Sequence, residues 1–127
     1  MQATSTYVNV HADESPLSGA AHEATVSRGT RRRRLDGEIS GEGTAEILIA
    51  RGTAEDRLGY VATERFVGSV LGKSGTFLFQ HGALMDRGVL TPFGYIVPGT
   101  GTGELTGIRG EVRVATDTLT LTYDFER

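Results

Sequence analysis

Glu64 and His81 flank the turn-like sequence LGKSG at 71–75, each within a stretch that alternates apolar and polar side chains. A carboxylate and an imidazole brought opposite each other on antiparallel strands lie within hydrogen-bond reach. Set among apolar neighbours, such a pair can pass a proton near neutral pH and titrates as one unit. Taking Gly72-Lys73 as a two-residue hairpin loop puts Leu71 opposite Ser74, Phe66 opposite Phe79 and Glu64 opposite His81. Alternation then places Glu64, Phe66, Phe77, Phe79 and His81 on one face, which Tyr60 and Ala62 extend. Two other readings stand beside the catalytic one: a buried polar pair that only satisfies itself, and a pair at a wet barrel mouth. If the pair is catalytic, Glu64→Gln is expected to keep the fold and to lower turnover. Tyr60 and Tyr123 are candidate donors to a developing oxyanion.

The second chemical feature is the block Arg31–Arg34. Four consecutive residues of a strand cannot share a face, so two arginines should point inward unless the segment bulges or sits at an end of the barrel. Arg32 and Arg34 are taken as a candidate clamp for a ligand carboxylate or phosphate. The competing reading is a solvated patch or a subunit contact. Other motifs carry less. The run PGTGTGEL at 98–105 matches neither GxGxxG nor GxxxxGK[ST], and it leads into a strand and not a helix, so its glycines are taken to bend a strand. His11 and His22 have no ligand-spaced partner, and no metal site is expected. No serine sits in GxSxG.

These residues need strands to position them. Stretches rich in Val, Thr, Ile and aromatic residues at 2–10, 20–39, 43–51, 58–71, 74–82, 89–97, 103–114 and 118–125 read as strands. Residues 13–19 read as a turn or loop, and 20–39 as one long bent strand or two short ones. A second hairpin, turning at Thr116-Asp117, puts Val114 opposite Leu119, Val112 opposite Leu121 and Arg109 opposite Asp124. About eight strands without a βαβ rhythm predict a single all-β domain over 1–127, an antiparallel barrel or sandwich.

Composition narrows the rest. The 127 residues are 38% hydrophobic and 23% charged, with a net charge of −3, as in an ordinary globular domain. That balance argues against nucleic acid as a partner. With no cysteine in the chain, disulfides, thiolate zinc and cysteine nucleophiles are excluded. The first 20 residues lack the pattern of a signal peptide and the apolar runs are too short for a membrane-spanning helix, so no membrane partner and a cytoplasmic location are expected.

The stretches LDGEISGEG (35–43), YVATERFVGSVLGKSGTFLFQHG (60–82) and VPGTGTGELTGIRGE (97–111) resemble an uncharacterised bacterial family with an allene-oxide-cyclase-like barrel. MQATSTYVNVHADES at the start and LTYDFE near the end extend the resemblance over nearly the whole chain. It implies an eight-stranded closed antiparallel barrel with an internal cavity. Plant allene oxide cyclases and dirigent proteins use related barrels to hold a reactive apolar intermediate and steer its ring closure or coupling. Of the family pattern, Glu64, His81 and the glycine-rich 99–107 segment match here. The pattern has an aromatic residue near Ala12 and lacks the four arginines, departures that suggest a specialised ligand.

The leading functional reading is therefore a cofactor-independent isomerase or cyclase for a largely apolar small molecule. Glu64 and His81 would be its acid and base, and Tyr60, Phe66, Phe77, Phe79, Tyr123 and Ala12 its substrate contacts. The alternative is a lipocalin-like binder without catalysis; a third reading is an interaction protein whose barrel is packed shut. A homo-oligomer is compatible with each.

Overall fold

A computed structural model describes residues 1–126. Eight strands occur in chain order: β1 (Gln2–Ser18), β2 (Thr25–Gly37), β3 (Ile39–Arg51), β4 (Arg57–Val70), β5 (Lys73–Asp86), β6 (Val89–Ile96), β7 (Ile108–Val114) and β8 (Thr118–Phe125). Each pairs antiparallel with the next, and β8 returns to β1, so the strands form a ring. Alternation runs through the long strands: in β3, Ile39, Gly43, Ala45, Ile47 and Ile49 are buried, while Ser40, Glu42, Thr44, Glu46 and Leu48 are exposed. A period of two with one buried face is what an antiparallel sheet closed on itself requires. No helix among the described residues is long and apolar enough to cross a membrane.

The ring is not uniform along its axis. β1 pairs with β8 only from Gln2 to Thr6, while its pairing with β2 continues to Ser18. The expected loop at 13–19 is thus largely strand. Pro16 is tolerated there because this part of β1 lies beyond the β8 pairing, where a missing N–H breaks no central ladder. At the other end the ring is plugged. Residues 103–114 are not one strand: a short 3-10 turn, Gly103–Leu105, precedes β7, and Leu105 is fully buried in one core cluster with Phe66, Phe77, Ile108 and Leu121. The glycines are needed for close approach, since a Cβ on Gly101 would lie 2.0 Å from the Leu105 carbonyl oxygen.

Register separates the two hairpins. The β7–β8 pairing is as expected: Val114 faces Leu119, Val112 faces Leu121, and Arg109 faces Asp124 with Nε donating to Oδ1 at 2.8 Å. The β4–β5 pairing differs from expectation by two residues. Its loop is Leu71-Gly72, with φ of 47° and 83°, and Val70 faces Lys73. Both central residues lie at positive φ, as a type I′ turn demands. Glu64 therefore faces Phe79, and His81 faces Ala62.

Candidate active site

A shift of two residues changes partners but preserves faces. Glu64 and His81 still point inward and meet on the diagonal: His81 Nε2 lies 2.9 Å from Glu64 Oε1. A carboxylate oxygen only accepts, so Nε2 carries the hydrogen. The other imidazole nitrogen, Nδ1, lies 3.3 Å from the Tyr60 hydroxyl. Glu64 Oε2 faces Arg33 Nε at 3.2 Å, a contact made by charge and not by a well-aligned hydrogen bond. Tyr60, His81, Glu64 and Arg33 thus form one chain across β4, β5 and β2.

Each link has a local cause. Glu64, His81 and Arg33 are 0%, 1% and 3% exposed, a degree of burial charged groups tolerate only when paired. Phe79 stacks on the His81 ring with centroids 5.4 Å apart, and the Tyr60 ring meets its edge at 5.7 Å. The Arg33 guanidinium lies over the Tyr7 ring, 4.8 Å from its centroid. Gly43 makes the room: a Cβ there would sit 2.1 Å from Glu64 Oε2. Burial raises the Tyr60 phenol above its ordinary value of 10.0, and the nearby Arg33 charge opposes that shift. Tyr60 is therefore neutral at physiological pH.

The chain ends on an open pocket of about 560 Å³ at the unplugged end of the ring. Tyr60, Ile47, Ile49 and Leu58 form part of its wall, with Tyr7, Arg31 and Arg33 from β1 and β2 and with residues 114–116 at its rim. Tyr7 holds that rim by donating its hydroxyl proton to the Ala115 carbonyl. Its volume falls within the range of small-molecule pockets. The arrangement can give or take a proton at Tyr60 and store it on His81.

A family model described as "Protein of unknown function (DUF3224)" matches residues 3–126. The chain belongs to this family. A crystal structure of a DUF3224 protein with unknown function from Shewanella oneidensis MR-1 is similar to it, with a TM-score of 0.83 and 25% identity over 100% of this chain and 98% of that one. No match was found among curated proteins. The expectation of a family of undetermined function with an eight-stranded all-β fold is met by DUF3224, with a bacterial structural neighbour.

Within this DUF3224 chain the expected site residues divide. Glu64, His81 and Tyr60 come together. Phe66, Phe77 and Phe79 share their face but lie deeper, in the closed core with Ile39, Leu105 and Leu121. Of these only Phe79 touches the chain, through His81. Tyr123 is buried in that same core, against Phe125, and does not meet Tyr60. Ala12 faces Arg31 across β1 and β2 but is exposed and outside the pocket lining. Arg32 and Arg34 are exposed, while Arg31 and Arg33 turn inward, so the inward pair of the arginine block is the other one. The phase was available: Leu35 must face the core, and Arg33 and Arg31 share its parity. Gly43 gave no chemical signal, since its role is to be absent space beside a side chain from the next strand.

Proposed function

We propose that this chain is a cofactor-independent isomerase or cyclase that binds a largely apolar small molecule in the mouth pocket. The observation that carries the reading is the unbroken chain from the pocket-wall Tyr60 through His81 to Glu64 and Arg33. With a neutral imidazole, Nδ1 accepts the Tyr60 hydroxyl proton. A substrate C–H or O–H proton can then pass to the Tyr60 oxygen as Tyr60 hands its own to His81. The imidazolium formed donates to Glu64 and Tyr60, and the Arg33 guanidinium lies beside the other Glu64 oxygen. Return of the proton to a different substrate atom completes a proton shift; delivery to an epoxide oxygen opens the ring. The pocket contributes shape, because a flexible chain held folded reacts without the entropic cost of finding that conformation. The ring of sequential antiparallel strands with a pocket at one end also supports kinship with allene-oxide-cyclase-like barrels; function does not follow from that kinship alone.

One observation favours the non-catalytic binder: His81 and Glu64 are buried from solvent, and of the three only Tyr60 lines the mouth pocket. The two readings part under a joint assay. A neutral apolar dye, N-phenyl-1-naphthylamine, reports occupancy of the pocket. A panel of medium-chain enones and epoxyalkenes, followed by chiral gas chromatography, reports turnover. Tyr60→Phe is expected to keep dye binding and to lower turnover by about 10²–10⁴-fold, the worth of a positioned acid or base. Dye binding with no turnover of any panel member selects the binder, and a Tyr60→Phe protein with wild-type turnover removes the relay from the mechanism.

A further inference from the structure

Four arginines, Arg31, Arg33, Arg51 and Arg113, line the mouth pocket, and no aspartate or glutamate is among its lining residues. The wall between them is apolar, built by Ile47, Ile49 and Leu58. Two of the four charges are already paired. Arg33 faces Glu64, and both Nη atoms of Arg51 donate to the Glu14 carboxylate. Arg113 lies on the outward phase of β7 and is exposed at the rim. Arg31 differs. It points inward from β2, and its Nε is buried without a hydrogen-bond partner among the described residues. Glu14, the acid that feels its charge, is already held by Arg51. A guanidinium that lines the pocket with no carboxylate salt-bridged to it among the described residues offers a bound anion a charge-assisted contact.

We infer that the ligand of this pocket is a monocarboxylate with an apolar body: its carboxylate sits on Arg31, and its chain lies along Ile47, Ile49 and Leu58 toward Tyr60. This rests on the reading of the mouth pocket as the binding site. A monoanion fits because, among the described residues, one inward guanidinium has no salt-bridged carboxylate while its inward neighbour is already paired with Glu64; a dianion would need two. A carboxylate suits the planar fork of arginine. The polarity follows as well, since a head fixed at Arg31 leaves the apolar part of the ligand to meet the Tyr60 hydroxyl.

The test compares decanoate with 1-decanol, equal in chain length and different in charge, by displacement of N-phenyl-1-naphthylamine. Decanoate is expected to bind at least about tenfold tighter, the scale of one charge-assisted hydrogen-bonded contact, with the advantage shrinking as salt is raised. Arg31→Gln should abolish the preference and leave decanol affinity unchanged, which also shows that the pocket is intact. Arg32→Gln, on the outward face, should change neither. Equal binding of the two probes to the wild type, or a preference that survives Arg31→Gln, overturns the inference while leaving an apolar pocket in place. Should Arg31→Gln fail to fold, Arg31→Lys decides: it keeps the charge without the fork and should weaken decanoate several-fold, whereas unchanged decanoate affinity overturns the assignment. Turnover in Tyr60→Phe is a separate readout, so failure of the relay and failure of the anion site are distinguishable.

Discussion

Glu64 has two carboxylate oxygens and two buried partners, His81 on one and Arg33 on the other. The second partner alters what a conservative substitution does. With only His81 in view, Glu64→Gln keeps shape and hydrogen-bonding capacity, and the fold should not notice. With Arg33 3% exposed and facing the same group, the amide leaves a buried cation without its counter-charge. Breaking a buried pair from one side costs about 3–5 kcal/mol, so Glu64→Gln should lower the unfolding free energy by roughly that amount in urea denaturation. His81→Asn removes no charge partner from Arg33 and should cost about 1–3 kcal/mol, the penalty of an unsatisfied buried group. Adding Arg33→Gln to Glu64→Gln should recover part of the loss, because the stranded charge is gone. A Glu64→Gln protein as stable as wild type would mean that Arg33 does not depend on Glu64. Activity in these variants has to be read beside their melting curves, which makes Tyr60→Phe, at the pocket wall, the cleaner kinetic probe.

The hairpins show why one pairing could be read from the residues and the other could not. At 114–119 the apolar set Val112, Val114, Leu119 and Leu121 aligns in one register around a polar turn, so pattern and turn agree. At 70–73 the residues around Gly72 allow a loop at Gly72-Lys73 or at Leu71-Gly72. Both place the same side chains inside, because they differ by an even number. Turn chemistry decides, and Leu71, at a φ of 47°, is a residue that does not advertise a left-handed backbone. This is why the inward face of β4 and β5 was recoverable while the partner of Glu64 was not. The same strain makes a prediction. Leu71 is 51% exposed, so its side chain contributes little packing to set against a left-handed conformation that costs a non-glycine residue about 1–2 kcal/mol. Asparagine tolerates that region, and Asn-Gly is the favoured type I′ pair. Leu71→Asn should stabilise the protein by about 1 kcal/mol and raise Tm by a few degrees in calorimetry. A fall in Tm would show that Leu71 packs in a way its exposure does not reveal.

Along its axis the molecule has two unlike halves. Around Phe66, Phe77, Ile39, Leu105 and Leu121 the ring is filled and plugged; around Ile47, Ile49 and Tyr60 it opens into the pocket. Alternation distinguishes inside from outside but carries no information on depth, which is why the phenylalanines read as pocket wall when they are core. Depth is set by the 103–105 plug and by where the β1–β8 pairing ends, both products of tertiary structure. If the halves are separable, substitutions in them should affect different properties. Phe77→Ala removes a ring from the closed half, where neighbours on all sides limit collapse, and should cost about 3–5 kcal/mol. The mouth is untouched, so N-phenyl-1-naphthylamine affinity should stay within about twofold at a temperature where the variant is folded. Ile49→Trp does the reverse. Ile49 is 9% exposed and lines the pocket, so the larger ring can extend into open space without displacing core atoms, and stability should change by less than about the 1–3 kcal/mol typical of overpacking. The indole would occupy the volume that the dye and decanoate share, and both affinities should fall by an order of magnitude or more. Were Phe77→Ala to weaken dye binding as strongly as Ile49→Trp, the two halves would be one continuous cavity, and the phenylalanines would regain a place in the binding site.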